Sequence, residues 1–351
     1  VPDTIYHLAL TNNLTKSFPP IEPGSAGTIV HNYHYWSNLV SAELIRVFKL
    51  PLAATVYQYL ALLVSLLIGG SAVVLGKTFG LGKVFTRWLV FFLYFFGDVL
   101  FVFIALLGKG INLNFTMLDD ASQLLTGPPR AFSVVILLGG VSLLGYWIKR
   151  KDFSTGLITV LVLASLVGFK IYAGIFALVG LGFLGIFFLL KKDSKMLAPL
   201  LIFLVLCAAI YLPVNQQAGG LIFVGMWRFE NFIVNPAFGL IKFELARLVY
   251  LEHGNWLKVS LLELFFTAAY FIFLFGTNLL AIFQTKKSLS KFPLEINIFL
   301  ISGLIVTLVM GLFFIQKTGG ANTIQFVLND YSILAIFSAL ACSYWMPRFK
   351  K

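Results

Sequence analysis

Asp3 and His7 stand four residues apart near the start of the chain, a spacing that puts a carboxylate and an imidazole on one face of a helix. Such a pair can take a proton from a hydroxyl or supply two ligands to a metal. Asp3 also has a plainer reading, as the N-cap of a helix starting at Thr4. His31 and His34, spaced i, i+3, are further ligand candidates for a divalent metal ion, although no third and fourth ligand stand clearly beside them. Asp119 and Asp120 form a carboxylate pair, open to an acid–base role or to plain solvation in a loop.

A second group of polar residues lies inside apolar runs. Asp98, Glu263 and Asp330 are acids of this kind, and Lys170, Gln325 and Asn329 join them. Ionisable groups at membrane depth are costly and commonly face a cavity or a site, while those near an interface can reach water by snorkelling. Arg228, Lys242 and Arg247 lie among aromatic residues in a later segment, where they can meet lipid phosphates. Cys207 and Cys342 sit within apolar runs and read as small core residues.

These residues are carried on an unusually apolar chain. Of its 351 residues 59% are hydrophobic and 11% charged, and the mean hydropathy is +0.93. A soluble domain carries about 25% charged residues, so there is too little polar surface here for a solvated shell. Runs of about 20 apolar residues require a bilayer, and they lack the alternation of a barrel strand. The expected fold is an all-α polytopic membrane protein. Candidate spans are 52–76, 86–107, 131–148, 197–212, 259–283, 296–315 and 324–345.

The stretch 154–190 adds two more spans. Its 37 residues hold one charge, Lys170, and both flanks are basic, with Lys149, Arg150 and Lys151 before it and Lys191, Lys192 and Lys195 after it. Basic flanks stay in the cytoplasm, so the stretch crosses and returns with Gly168-Phe169-Lys170 near its apex. About nine transmembrane helices result. The cytoplasmic segments 77–87, 149–153, 191–196, 284–295 and 346–351 then hold 15 Lys/Arg against three acids, Asp152, Asp193 and Glu295. The formal net charge of +12 is thereby a matter of topology, and no nucleic-acid partner is expected.

The external segments are long: an N-terminal loop, 1–51, and the loops 108–130 and 213–258 within a transmembrane domain, 52–351. The N-terminal loop reads as two interfacial helices joined by a Phe18-Pro19-Pro20 turn, glycines 24 and 27, and the cluster His31-Asn32-Tyr33-His34-Tyr35-Trp36. The second of these helices carries Leu39, Val40, Leu44, Val47 and Phe48 on an apolar face. Such a loop would cover a membrane-level cavity open to the outside. Because the chain begins at Val1, a trimmed span is expected before it.

An Asp-x-x-x-His near the start of the first external loop, a Phe-Pro-Pro turn and a His-Tyr cluster resemble the GT-C superfamily of integral-membrane glycosyltransferases. Phe169-Lys170-Ile171-Tyr172-Ala173-Gly174 is similar to the short central helices of bacterial members. Gln316-Lys317 with Asn322-Thr323-Ile324-Gln325-Phe326 is similar to a late external motif of relatives. The resemblance covers most of the chain in layout and only these short motifs in residues. It implies inverting transfer of a sugar from a polyprenyl-phosphate donor to an acceptor, at the extracytoplasmic face of a bacterial plasma membrane. Asp3 is then the catalytic base, with His7 orienting it or binding a metal. Lys170 meets the donor phosphate, with Arg228 as a second candidate, and Asp98 and Asp119 or Asp120 position acceptor or metal. His34, Asn322 and Gln325 complete the candidate substrate-binding set. The rival readings are a transporter or lipid flippase, and a non-catalytic membrane subunit.

Overall fold

The computed structural model describes residues 2–25, 27–95, 97, 99, 105–106, 127–215, 219–225, 227, 233–234, 239–317 and 321–349. Within these ranges the side chains of 2–4, 194, 321 and 347–349 lie outside the description. In chain order the principal helices are α1 (Pro2–Leu14) and α2 (Trp36–Phe48), then α3 (Leu52–Thr78) and α4 (Gly82–Tyr94). They continue with α5 (Pro128–Arg150), α6 (Phe153–Phe169), α7 (Ile171–Leu190) and α8 (Leu197–Val214). The last four are α9 (Ile241–Glu252), α10 (Trp256–Phe275), α11 (Leu294–Phe313) and α12 (Ile324–Phe349). Strands β1 (Leu221–Phe223) and β2 (Phe314–Gln316) pair antiparallel, Ile222 opposite Ile315.

The chain is an α-helical polytopic membrane protein. Among the described residues seven helices are long and apolar enough to cross a bilayer, and α6 is a shorter apolar helix. The run expected to span 86–107 is helical to Tyr94, and most of 96–107 lies outside the described residues. The helix expected to reach Ile315 ends at Phe313, because Phe314–Gln316 find backbone partners in β1 instead. Past Gly276, whose φ of 46° breaks the regular helix, α10 is extended by a 3₁₀ segment to Phe283.

The contacts divide the chain into two compact units. The first holds Val1–Val90, Ser122–Ala218 and Thr285–Val306, and the second Phe91–Ala121, Gly219–Gln284 and Thr307–Lys351. In the first unit α5, α6 and α8 pack through buried Leu138, Trp147, Leu163 and Phe203. Gly180 of α7 lies against Phe299 of α11, where a Cβ would come within 2.6 Å of the ring. Small residues let membrane helices approach this closely.

The basic connectors gather at one end of the first unit. Lys149 Nζ donates to the Thr78 carbonyl at 3.1 Å, Lys151 pairs with Asp193 at 2.6 Å and Lys191 with Glu295 at 3.8 Å. Asp152 caps α6 by accepting from the Thr155 amide at 2.8 Å. Both limbs of the α6–α7 hairpin start from this end, so the break between them lies at the other. It falls at Lys170, which is extended at φ −157° and ψ 107°, so the expected turn-back is present as two helices, of which α7 is long and apolar enough to cross a bilayer and α6 is shorter.

Candidate functional site

The N-terminal segment folds against that far end of the first unit. Leu10, Leu14, Val30, Tyr35 and Ala42 form a small core of their own, with Tyr6, Tyr33, Trp36, Leu39 and Val214 packed on it. Full burial of each leucine contributes roughly 1.5–3 kcal/mol to holding the two helices together. The loop between them is closed by an Ile21–Ile29 bridge, with Gly27 turning at φ 79°. The Asn32 amide then donates to the Val214 carbonyl at 2.7 Å, tying the loop to the end of α8.

Trp36 opens α2 and fits a notch in α6. A Cβ placed on Gly168 would lie 2.2 Å from Trp36 Cδ2, so only glycine admits the indole. The ring also meets Phe169 edge-on at 5.8 Å between centroids. This contact sets the His-Tyr cluster directly above the helix break.

Four side chains form a line there. Tyr6 meets Tyr33 edge-on at 5.1 Å, Tyr33 stacks on His34 at 5.0 Å and 12°, and His34 Nε2 lies 3.4 Å from Lys170 Nζ. The ammonium also sits 5.7 Å from the centre of the Tyr172 ring. An ammonium can only donate, so Nε2 of His34 accepts and its proton is on Nδ1. Burial, then the Lys170 charge, then His7, hold the His34 imidazole well below the ordinary histidine range. It is neutral at physiological pH. At the start of the line the Tyr6 hydroxyl donates to Glu22 at 3.1 Å, and burial ahead of the Glu22 charge raises the phenol above its usual range.

His7 is fixed by a second network. The Asn38 amide nitrogen donates to the His7 carbonyl at 3.1 Å and to Thr11 Oγ1 at 3.0 Å. Its Oδ1 is therefore the acceptor facing His7 Nδ1 at 3.2 Å. With Nδ1 protonated, Nε2 accepts from the Tyr33 hydroxyl at 3.1 Å. Asn38 is 3% exposed and Thr11 0%, so these bonds are shielded from water. Sequence reasoning missed Asn38. Its one signal was an amide lying on a helix otherwise read for its apolar face.

The helix begins at Pro2, so Asp3 lies in its first turn rather than before it as an N-cap. Proline favours this first helical position, and the dipole still favours a carboxylate there. Asp3 and His7 therefore occupy one face of α1 on consecutive turns.

These donors do not suit a metal. The two His7 nitrogens face Asn38 and Tyr33, and His34 faces an ammonium where a cation would need to stand. His31 is exposed and outside any helix, so its i, i+3 spacing from His34 does not create a shared face. Among the described residues no three His, Cys, Asp or Glu side chains cluster at metal-binding distance.

Other candidates belong to the second unit. Asp330 is 0% exposed and accepts from Thr307 at 2.6 Å, its other oxygen having no partner among the described residues. Glu263 meets Arg247 at 3.2 Å, and Arg247 also pairs with Glu244 at 2.7 Å, so the expected intramembrane acid and the lipid-facing arginine are engaged with each other. Asn322 is exposed and lies 3.5 Å from Gln316, while the Gln325 carbonyl accepts from Asn329 at 3.0 Å. Asp98, Asp119, Asp120 and Arg228 lie outside the described residues. Compared with family models, curated proteins and solved structures, the chain matches none.

Proposed function

We propose that the chain is a membrane glycosyltransferase of GT-C type, moving a sugar from a polyprenyl-phosphate donor to an acceptor at the extracytoplasmic face of a bacterial plasma membrane. The observation that carries this reading is the meeting of Lys170 with the His-Tyr cluster at the α6–α7 break. A cation held among aromatic faces, at the end of the unit away from the basic connectors, suits a phosphate whose lipid tail lies in the bilayer.

In the reaction Asp3 takes the acceptor hydroxyl proton, and the acceptor oxygen attacks the anomeric carbon from the face opposite the phosphate. The bond from that carbon to the phosphate oxygen breaks, the phosphate leaves with the electron pair, and Lys170 stabilises its charge. Neutral His34 adds no competing cation and steers the ammonium. Asn38 and Tyr33 hold His7 in place on the face of α1 that it shares with Asp3. Arg228 is the second phosphate candidate, and Asp98, Asp119, Asp120, Asn322 and Gln325 are candidates for placing donor and acceptor.

The test is transfer of radiolabelled sugar in proteoliposomes from polyprenyl-phosphate donors to candidate lipid and glycan acceptors. Wild-type protein is expected to give labelled product and free polyprenyl phosphate in equal amounts. Absence of both across a donor panel would overturn the proposal. One observation favours the rival transporter reading: the buried, half-partnered Asp330. That reading predicts movement of substrate across the bilayer without release of polyprenyl phosphate.

A further inference from the structure

Helices α9 and α10 make an antiparallel hairpin around Gly254, which turns at φ 65°. Arg247 clasps its inside. Nε and Nη2 bind the two oxygens of Glu244 at 2.8 and 2.7 Å, and Nη1 reaches Glu263 at 3.2 Å. Phe243 meets Phe266 at 4.9 Å one turn lower.

Beside this clasp the hairpin opens into a groove of about 650 Å³ lined by Lys242, Phe243, Tyr250, Lys258, Leu261 and Phe265, among others. Its walls are aliphatic and aromatic, and its charged groups are two lysines. Each ammonium rests on a ring of the groove, Lys242 at 5.2 Å from Phe243 and Lys258 at 5.0 Å from Tyr250. Among the described residues neither lysine pairs with an acid, since Glu244 and Glu263 are held by Arg247 and the exposed Glu252 meets neither.

The depth of the groove follows from length. Trp256–Phe283 has 28 residues, whereas about 20 suffice to cross the hydrocarbon. The surplus falls at the end that carries both of its charges, Lys258 and Glu263, which puts the stretch from Trp256 to Glu263 at headgroup level. Trp256, 67% exposed, is the residue type that anchors there. The groove thus spans the depth at which lipid phosphates give way to acyl chains.

We propose that this groove binds an anionic glycerophospholipid, with its phosphate on Lys242 and Lys258 and an acyl chain along Leu261 and Phe265. A headgroup without its own cation lets two lysines attract the phosphate, while a choline headgroup sets a third positive charge beside them. The site shares no residue with the Lys170 cluster and does not depend on any transfer reaction.

Native mass spectrometry of the purified full chain, offered phosphatidylglycerol and phosphatidylcholine in equal amounts, tests it. Wild type is expected to retain phosphatidylglycerol at least tenfold over phosphatidylcholine. Lys242→Gln with Lys258→Gln should abolish that preference, and the double arginine variant should keep it. Leu261→Trp, which fills the groove and leaves the charge unchanged, should also lose the adduct. Equal retention of both lipids by wild type, or an undiminished preference in the glutamine and Leu261→Trp variants, would overturn the proposal. Displacement of phosphatidylglycerol by equimolar polyprenyl phosphate would also overturn it, assigning the groove to that lipid instead.

Discussion

Lys170 and His34, 136 positions apart, meet at 3.4 Å. The lysine interrupts an apolar hairpin and the histidine belongs to a polar loop, so their meeting ties the N-terminal loop to the tip of the hairpin. An unpaired ammonium in hydrocarbon would cost several kcal/mol. At the tip of the hairpin that cost is avoided, and the charge stands beside the loop that would cover a donor.

Lys170→Gln is accordingly expected to raise the apparent donor KM at least tenfold at fixed acceptor. Lys170→Arg should retain part of the donor use, because charge is kept while the shape of the donor group changes. Steady-state transfer in proteoliposomes measures both. Equal donor use by the glutamine variant would remove Lys170 from phosphate recognition.

For Asp3→Asn, transfer should vanish while stability changes by less than about 1 kcal/mol, since only the attraction between the carboxylate and the dipole of the first turn is lost. The transfer assay is run beside thermal unfolding in detergent. Retained turnover would eliminate Asp3 as the base.

Gly168→Ala should destabilise the first unit by about 1–3 kcal/mol through overpacking, because the new methyl meets the Trp36 indole. Gly182→Ala is the control, as nothing lies within 4 Å of its added Cβ. Thermal unfolding of the two variants should separate them clearly. Equal midpoints would mean that Trp36 does not depend on the notch.

The hairpin break was legible because charge marked it. Basic residues at both ends of 154–190 and one lysine inside leave few ways to thread the stretch through a bilayer. The seat of Trp36 against Gly168 was not legible, since neither residue carries a mark of its partner. The same holds for Asn38, whose value lies in joining His7 to Thr11 across the loop, and for Arg247, which could be read as facing lipid until Glu244 and Glu263 were found beside it. Charge patterns report on topology, whereas pairing between distant helices depends on shape that one sequence does not display.

His34 should make stability depend on pH. Its folded pKa lies below the ordinary value, and the unfolded imidazole titrates near about 6.5. The unfolded state therefore binds more protons as pH falls through that value, so stability is full above it and declines below it. The unfolding midpoint should drop from pH 7.5 to pH 5, and His34→Gln should flatten that slope. An unaltered slope in the variant would assign the titration to other groups.

Topology is open to cysteine labelling in a Cys207→Ala, Cys342→Ala background. The loop residue Ser17 and Lys287 in the connector before α11 are both exposed. Ser17→Cys should react with an impermeant maleimide on whole cells, and Lys287→Cys only after permeabilisation. Reaction of both from the same side would sink the assigned orientation.

The ion pair between Lys151 and Asp193 has a consequence for biosynthesis. Helix α6 has 17 residues, which rise about 26 Å, short of the roughly 30 Å of hydrocarbon. As it leaves the ribosome alone, α6 is a weak candidate for stable insertion. Lys151 precedes α6 and Asp193 follows α7, so their bond at 2.6 Å forms only after the second limb has emerged. Stable placement of α6 then depends on α7, whose 20 residues are long and apolar enough to cross a bilayer.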